Sequence, residues 1–291
     1  MMEHLLILGA GFSGVAAARA CRGTFNRISG TTRSAARFEA LRSAGMEPLL
    51  FDGTGNADLE AAVSTATHLL VTIAPGSHDP VLTALGEALR RTRNLQWICY
   101  LSTVGVYGDH QGAWVDEESE CRPVSVRSQE RIAAETLWKN LADELSVPLA
   151  IYRLSGIYGP SRNAFVNIVK GTSRRLVKPG QVFNRIHRHD IGEAVRLGAA
   201  LKAGGIFNIT DDEPAPPQDV VAFAHELAGI TPPPEIDFET ADLSPMARSF
   251  YGENKRVSNA RSKAELGLAY AFPDYRTALT RMWREKSWKP Q

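Results

Sequence analysis

The chain has 291 residues, of which 44% are hydrophobic and 22% are charged, a balance that is typical of globular proteins and excludes disordered and collagen-like classes. Because 33 Lys and Arg residues are balanced by 32 Asp and Glu residues, the formal charge is only +1, and we expect neither a nucleic-acid nor a membrane partner. Three widely separated cysteines form no metal-ligand or disulfide pattern, so we expect a cytoplasmic protein without a bound metal.

Short apolar runs alternate with helix-like segments through the first half of the chain. The predicted strands cover residues 5–8, 27–30, 48–51, 69–73, 97–101 and 149–154. The predicted helices cover residues 15–21, 35–44, 81–91 and 132–144. Continuous apolar strands separated by helices are typical of a parallel sheet that is covered on both faces. The predicted fold class is therefore α/β, with a Rossmann-type doubly wound parallel sheet.

The pattern changes after residue 159. Residues 160–190 are rich in loops and basic side chains. A helix follows over residues 190–201, with Asp190 as the predicted N-cap, then a strand over 206–209. Further helices are predicted at 217–227, at 258–266 with Ser258 as cap, and at 274–283. We expect a sheet domain over residues 1–160 and a small C-terminal lobe over 161–291, partly interleaved with the sheet domain.

A G-x-G-x-x-G run, formed by Gly9, Gly11 and Gly14, comes directly after the first predicted strand and opens the first helix. Glycines allow a tight turn and a close approach to a pyrophosphate, and the N–H groups of the helix N-terminus attract its charge. The position of the run therefore predicts that these glycines, with Phe12 and Ser13 between them, bind a dinucleotide. The alternative is an ordinary glycine-rich turn.

The segment after the second predicted strand indicates which dinucleotide is bound. NAD-binding chains place an acid there, about 20 residues after the glycines, whereas this sequence has Arg33. A guanidinium suits a 2′-phosphate, so we predict NADP as the cofactor, with NAD as the alternative. The alternative interpretation of Arg33 is a solvated residue in the first turn of the next helix. Asp52 is predicted either to bond the adenine amino group or to close a turn. Ala74 and Pro75 complete the predicted cofactor contacts.

Several motifs recur in an order that is specific to one superfamily. They are Gly9–Gly14, Leu-Ser-Thr-Val-Gly-Val-Tyr-Gly at 101–108, Asp-Glu at 116–117, Arg-Leu-Ser-Gly-Ile-Tyr-Gly-Pro at 153–160, Ile-His-Arg-His-Asp at 186–190, Phe-Asn at 207–208, and the segment 270–279. Together they resemble the extended and atypical short-chain dehydrogenase/reductases, specifically the NAD(P)-dependent epimerase/dehydratase group. The resemblance implies a cofactor across the carboxyl edge of the sheet and a substrate in the C-terminal lobe.

The chain departs from that family at two places. Leu8 stands where extended members usually have the first glycine of their loop. Thr103 matches the family Ser/Thr, but the Tyr-x-x-x-Lys pair, located by Glu135, is replaced by Arg127 and Arg131. Arginine stays charged and cannot cycle a proton near neutral pH. By the resemblance, Arg131 holds the nicotinamide ribose and Arg127 binds an anionic substrate or the cofactor phosphates; both otherwise belong to a solvated helix face.

Other side chains are candidates for the missing proton donor and for substrate contacts. Tyr107 lies after a predicted strand and is either a substitute acid or a packing residue. His187 titrates in a useful range and is assigned to substrate binding, although the resemblance more often gives it a structural role. Arg162 and Asn163 follow a Gly-Pro pair and are predicted to touch the substrate, the alternative being a surface loop.

Two functions follow from this pattern. The first is an NADP-dependent oxidoreductase or epimerase that acts on a small anionic or sugar-nucleotide substrate, with Thr103, Tyr107, Arg127 and Arg131 as catalytic candidates. The second is a catalytically degenerate NADP(H)-binding sensor or scaffold, because the cofactor loop is kept while Tyr-x-x-x-Lys is lost. The sequence leaves the oligomeric state open, a homodimer included.

Overall fold

A computed structural model of the protein describes residues 3–289. Its β-strands, in chain order, are β1 (His4–Leu8), β2 (Arg27–Thr32), β3 (Glu47–Leu50), β4 (His68–Val71), β5 (Trp97–Thr103), β6 (Trp114–Val115), β7 (Leu149–Leu154), β8 (Gly156–Tyr158), β9 (Arg175–Val177), β10 (Arg185–His187), β11 (Gly205–Ile209), β12 (Glu235–Asp237) and β13 (Arg256–Val257). Its α-helices are α1 (Phe12–Ala20), α2 (Phe38–Ser43), α3 (Ala57–Thr65), α4 (Pro80–Arg91), α5 (Val126–Leu145), α6 (Ala164–Val169), α7 (Arg188–Leu201), α8 (Pro217–Ala228), α9 (Pro245–Phe250), α10 (Ala260–Leu266) and α11 (Tyr275–Arg284). Short 3₁₀ helices cover Ala35–Arg37 and Val104–Tyr107.

The main sheet has the strand order β3-β2-β1-β4-β5-β7-β11, and every neighbouring pair is parallel. From β1 the chain adds β2 and β3 on one side, then crosses back and adds β4 and the later strands on the other side of β1, as in doubly wound folds. Loops at the carboxyl ends of these strands therefore meet at one edge. This arrangement confirms the predicted Rossmann-type α/β fold.

Both faces of the sheet are buried, which explains the continuous apolar strands. In β1, Leu5 and Ile7 enter one core, whereas Leu6 and Leu8 enter the core on the opposite face. This alternation is the period-two geometry of a strand, and because both faces are apolar it produces an unbroken hydrophobic run. Helices α1 and α7 cover the first face, and α3, α4 and α5 cover the second.

The second half of the chain returns to the main sheet. β11 pairs with β7 at the sheet edge, and α7 packs along α1. The helices approach closely because α7 has Gly192, where a Cβ would lie only 2.6 Å from the Ala16 carbonyl oxygen. Helices α6, α8 and α11 build a separate small core around Phe165, Tyr275 and Leu279. Residues 161–289 therefore contribute both to the main sheet with its helix layer and to a separate small core.

The structure corrects several predicted elements. α5 begins at Val126, six residues earlier than predicted, and α3 was not predicted at all. The segment 160–190 contains α6, β9 and β10 rather than loops alone. Asp190 does not cap α7, because His187 occupies that position, while the buried Asp190 carboxylate accepts hydrogen bonds from the backbone of Ala271 and Phe272. The N-cap residue of α10 is not Ser258 but the residue that follows it.

The structure was also searched for membrane-spanning helices, metal sites and paired cysteines. No helix within residues 3–289 is both long enough and apolar enough to cross a membrane. In that same part of the chain, no three His, Cys, Asp or Glu side chains come together as a metal site. The thiols of Cys21, Cys99 and Cys121 are unpaired, and burial raises the pKa of Cys21 to about 12.

Candidate functional site

The glycine loop between β1 and α1 is packed tightly against the sheet. The Gly9 N–H donates to Thr31 Oγ1 at 2.8 Å, and the Thr72 hydroxyl donates to the Gly9 carbonyl at 2.5 Å. Gly9 has a φ of +102°, a conformation that other residues rarely adopt. A Cβ at Gly14 would lie 2.6 Å from the Gly9 carbonyl oxygen. Both glycines are therefore required by the fold of the loop itself.

The outer side of this loop is open at Gly11. A Cβ there would meet no protein atom within 4 Å, so the missing side chain leaves free space in front of the loop. Gly11 is also the N-cap of α1, and no side chain caps the helix at this end. The first N–H groups of α1, at Phe12 and Ser13, are consequently suited to an anion. The loop fits the pyrophosphate of a dinucleotide.

The other predicted cofactor contacts lie at the same edge. Arg33, Asp52 and the pair Ala74-Pro75 follow β2, β3 and β4, whose parallel register brings their loops together. Arg33 is exposed and makes no hydrogen bond or ion pair within residues 3–289. Asp52 accepts hydrogen bonds from the Thr54 hydroxyl and N–H at 2.7 and 3.1 Å, and these bonds lower its pKa. The Asp52 carboxylate is thus already engaged in a turn.

A cleft of about 540 Å³ opens between the end of β5, the start of α5 and the segments 154–158, 182–185 and 249–255. Thr103, Arg127 and Arg131 all line it, so the structure brings together three of the four predicted catalytic residues. Among the described residues of its wall, the charged side chains are Arg127, Arg131, Arg185, Lys255 and Glu253. The cations exceed the single carboxylate, and the cleft is suited to an anionic ligand.

Arg127 and Arg131 lie one turn apart on α5 but have different surroundings. The Arg131 guanidinium donates to the Leu101 carbonyl at 2.8 Å and to the Tyr100 hydroxyl at 3.2 Å, which fixes it against β5. Arg127 is exposed on the first turn and has no ion pair within residues 3–289. Thr103 accepts a hydrogen bond from the Gly105 N–H at 3.1 Å, so its own O–H remains available to a ligand.

A buried ion pair holds α5 in this position. Glu135 accepts a hydrogen bond from Ser102 on β5 at 2.5 Å, and it pairs with Arg153 on β7 at 2.8 Å. The side chains of Arg153 and Glu135 are only 6% and 8% exposed. Because the two strands and the helix share one carboxylate, the first turns of α5 are fixed relative to the carboxyl ends of β5 and β7.

Tyr107 lies in the core and not in the cleft. Its 3₁₀ helix turns the ring inwards, the hydroxyl donates to Asn208 Oδ1 at 2.8 Å, and the Arg153 guanidinium lies 4.9 Å from the ring centroid. Burial raises the pKa of Tyr107 to about 12. The structure therefore does not bring this predicted acid together with Thr103, and the packing alternative describes its surroundings.

The three predicted substrate contacts also lie outside the cleft. The Arg162 guanidinium stacks on Phe12 of the glycine loop, 4.9 Å from the ring centroid. Asn163 caps α6 and donates to two backbone carbonyls, so its amide is used within the protein. His187 is buried against Phe272, with ring centroids 3.8 Å apart, and burial lowers its pKa to about 3. None of these three residues lines the cleft, although their sequence positions predicted contact with the substrate.

Three charged cleft residues, Arg185, Lys255 and its partner Glu253, were missed as site residues at the sequence level. Arg185 on β10 donates to the Phe183 and Ala215 carbonyls, and burial lowers its pKa. Lys255 donates to the Gly108 carbonyl at 2.8 Å and pairs with Glu253 at 2.6 Å. Arg185 falls within the basic segment noted above, which was a usable signal. Lys255 lies far along the chain with no motif around it, so nothing local pointed to it.

Comparison with known proteins agrees with this geometry. Residues 5–181 match the model of the NAD dependent epimerase/dehydratase family, which is more than half of the chain. The protein therefore belongs to that family, and the resemblance seen in its motifs is confirmed. No curated protein matches the chain significantly.

Solved structures support the same fold. A functionally unknown conserved protein from Silicibacter pomeroyi is 45% identical, with a TM-score of 0.89 and coverage of 98% of this chain and 99% of that one. UDP-N-acetylglucosamine 4-epimerase from Bacillus cereus is 16% identical, with a TM-score of 0.73 and coverage of 98% and 99%. UDP-glucuronic acid 4-epimerase from Bacillus cereus, solved with NAD, is 17% identical, with a TM-score of 0.74 and coverage of 97% of each chain. At these last identities the likeness is one of fold.

Proposed function

We propose that the protein binds NADP(H) along the carboxyl edge of its sheet and acts as an oxidoreductase or epimerase on a small anionic or sugar-nucleotide substrate. The observation that carries this proposal is the cationic cleft, which has Thr103, Arg127 and Arg131 on its wall. Membership of the epimerase/dehydratase family and the fit of the glycine loop to a pyrophosphate support the cofactor. The 4-epimerases of the same fold act on sugar nucleotides, which supports that substrate class.

The residues take separate roles in this proposal. The open face at Gly11 and the first amides of α1 hold the pyrophosphate, and Arg33 pairs with the 2′-phosphate. When bound, NADP(H) supplies the group that accepts or donates hydride. Arg131, fixed by the Leu101 carbonyl, bonds the nicotinamide ribose. Thr103 donates a hydrogen bond to the substrate oxygen, and Arg127 binds the anionic group of the substrate with a charge-assisted pair.

A second candidate function is an NADP(H)-binding sensor that does not turn over. The observation that favours it is the surroundings of Tyr107, whose phenol is sealed in the core and bonded to Asn208. Because arginines cannot cycle protons near neutral pH, Arg127 and Arg131 do not replace the family acid. In this case the cleft binds an anionic regulator or partner group and performs no chemistry.

Turnover by the purified protein separates the two candidates. NADPH oxidation and NADP reduction are followed by absorbance with a panel of carboxylate-bearing carbonyls, alcohols and nucleotide sugars, and epimerised nucleotide sugars are sought by chromatography. If the first proposal is correct, the protein turns over an anionic substrate. The Arg127→Gln variant should then lose at least about tenfold of that activity, because it loses one charge-assisted contact. Lys139→Gln, an exposed charge change on the same helix, serves as the control. Tight NADPH binding with no turnover on any substrate supports the sensor instead.

A further inference from the structure

Two arginines from the second half of the chain meet at the start of α1. The guanidinium carbons of Arg162 and Arg188 each lie 4.9 Å from the centre of the Phe12 ring, so the two cations are at most twice that distance apart. Phe12 is the first residue of α1 and directly follows Gly11, whose open face is proposed to hold the pyrophosphate. Stacking on a ring orients a guanidinium but leaves its charge in place.

The register of a small parallel sheet explains why these arginines come together. The strands β8 and β10 are paired so that their last residues, Tyr158 and His187, are partners. Arg188 directly follows β10 and Arg162 comes shortly after β8, so both arginines leave the same end of this sheet. Gly159 allows the close approach, because a Cβ there would lie only 3.1 Å from Arg188 Cγ.

The loop that carries Arg162 is held in one conformation by its neighbours. The Asn163 side-chain amide donates to the carbonyls of Gly159 and Trp288, at 2.8 and 2.9 Å. The Ser161 N–H also donates to the Trp288 carbonyl, at 3.0 Å. Arg162 therefore extends from a fixed loop, and little backbone freedom is lost when its guanidinium binds a ligand.

No acid of the protein neutralises these two cations. Neither the Arg162 nor the Arg188 guanidinium makes a hydrogen bond or an ion pair with any residue in the described range 3–289. The first two acids of α7, Asp190 and Glu193, are bonded by backbone N–H groups and by Arg196. Both cations thus lie at the N-terminal end of α1, the positive end of the helix dipole. This arrangement is unfavourable by itself and becomes favourable with an anion.

We propose that Arg162 and Arg188 are cofactor-binding residues, which pair with the pyrophosphate of the dinucleotide at the glycine loop. A planar guanidinium is well suited to phosphate oxygens, and both phosphates of a pyrophosphate are anionic. This inference rests on the proposed function, because it requires a dinucleotide at that loop. It assigns Arg162 to the cofactor instead of the substrate contact predicted from sequence, and it adds Arg188, which was not predicted as a site residue.

Titration of the unmodified protein and of Arg162→Gln with NADPH and with NADH tests this assignment. Both cofactors contain the pyrophosphate, so the variant should weaken the binding of both by about tenfold, the value of one charge-assisted contact. Arg33→Ala, by contrast, should weaken the binding of NADPH alone. Lys170→Gln is the matched control, because Lys170 is exposed at the far end of α6. Arg162 is also exposed, so the variant should fold, and urea unfolding checks this.

Two further measurements separate a charge contact from a deformed glycine loop. In about 1 M KCl, where the Debye length is about 3 Å, the difference in cofactor affinity between the unmodified protein and Arg162→Gln should shrink. A deformed loop would weaken binding at any salt concentration. Arg188→Gln should reproduce the loss of affinity for both cofactors, because Arg188 lies against the same ring as Arg162.

Three results would overturn the proposal: cofactor affinity in either arginine variant equal to that of Lys170→Gln, a loss that is confined to NADPH, or a loss that KCl does not reduce. The first result is also the one expected if Arg162 contacts the substrate. If the unmodified protein binds neither NADPH nor NADH, the proposed function fails together with this inference. If the unmodified protein binds them and Arg162→Gln binds them equally well, this inference alone fails.

Discussion

Gly14 and Gly11 of the same loop have different roles in these proposals, one in folding and one in cofactor binding. Alanine substitutions should distinguish the two roles. At Gly14 a Cβ would lie 2.6 Å from the Gly9 carbonyl, so Gly14→Ala should destabilise the fold by about 1–3 kcal/mol, as overpacking does. At Gly11 a Cβ meets no protein atom within 4 Å, so Gly11→Ala should fold normally but lose NADPH affinity. Urea unfolding and NADPH titration measure both effects. Normal NADPH affinity in Gly11→Ala would contradict the assignment of the open face.

The proposed preference for NADPH over NADH depends on Arg33. It follows β2, is exposed, and has no partner within residues 3–289, so its guanidinium is available to a 2′-phosphate. Arg33→Ala should weaken NADPH binding by about tenfold or more, the value of one charge-assisted hydrogen bond, and leave NADH binding unchanged. Arg37→Ala, an exposed arginine four residues later, is the control. Equal affinity of the unmodified protein for the two cofactors would refute this argument.

At the scale of elements, the carboxylate of Glu135 joins α5 to β5 and β7. Removing one partner of a buried pair leaves an uncompensated charge, so Glu135→Ala should lower the free energy of unfolding by about 3–5 kcal/mol. Glu144 on the same helix pairs with Arg90 at the surface, where both side chains are about half exposed. Glu144→Ala should therefore cost less than about 1 kcal/mol. Urea unfolding of both variants checks the contrast, and similar losses would contradict it.

The main strands could be predicted from sequence because both faces of the sheet are buried, and β7 was predicted residue for residue. Elements were missed where the signal is short or polar. The helix α3 has only nine residues and is capped by Asn56, and β9 and β10 have three residues each. Asp190 was misassigned because the N–H groups that donate to its carboxylate, those of Ala271 and Phe272, lie 81 and 82 residues away, in a contact that no local pattern reveals.

The candidate site was only partly predictable, for a related physical reason. Thr103, Arg127 and Arg131 reach the cleft because the carboxyl end of a strand and the start of a helix have fixed directions in this fold. Tyr107 follows the end of β5 and His187 is the last residue of β10, but the local backbone directs both rings into the protein. Side-chain direction after a strand depends on loop conformation, and the motif alone does not determine it.

At the scale of the whole molecule, the two halves of the chain are joined through the helix layer as well as the sheet. α7 packs on α1 beside the glycine loop, and Asp190 at its start binds the backbone that leads into α11. Arg162 and Arg188, from the second half, both stack on Phe12 of the loop. The glycine loop is thus contacted by both halves, and its conformation depends on the integrity of the entire fold.

Buried histidines make the stability of the whole molecule depend on pH. Burial lowers the pKa of His4 to about 4 and that of His187 to about 3, whereas the unfolded chain protonates near its ordinary value of 6.5. The unfolded state therefore binds protons first, so stability is present above about pH 6.5 and falls as the pH drops towards the folded-state values. His189, whose pKa is raised by its hydrogen bond to Asp190, acts in the opposite sense.

The size of this effect can be measured at His187. Each such histidine should lower the free energy of unfolding by about 1.4 kcal/mol per pH unit between roughly pH 6 and pH 5. In His187→Asn the slope of stability against pH should be shallower by that amount, even if the variant is less stable at pH 7. Urea unfolding at pH 7, 6 and 5 measures it, with His78→Asn as the control because His78 is exposed in the loop after β4. A slope unchanged in His187→Asn would mean that His187 is not held neutral by its burial between Phe272 and Tyr158.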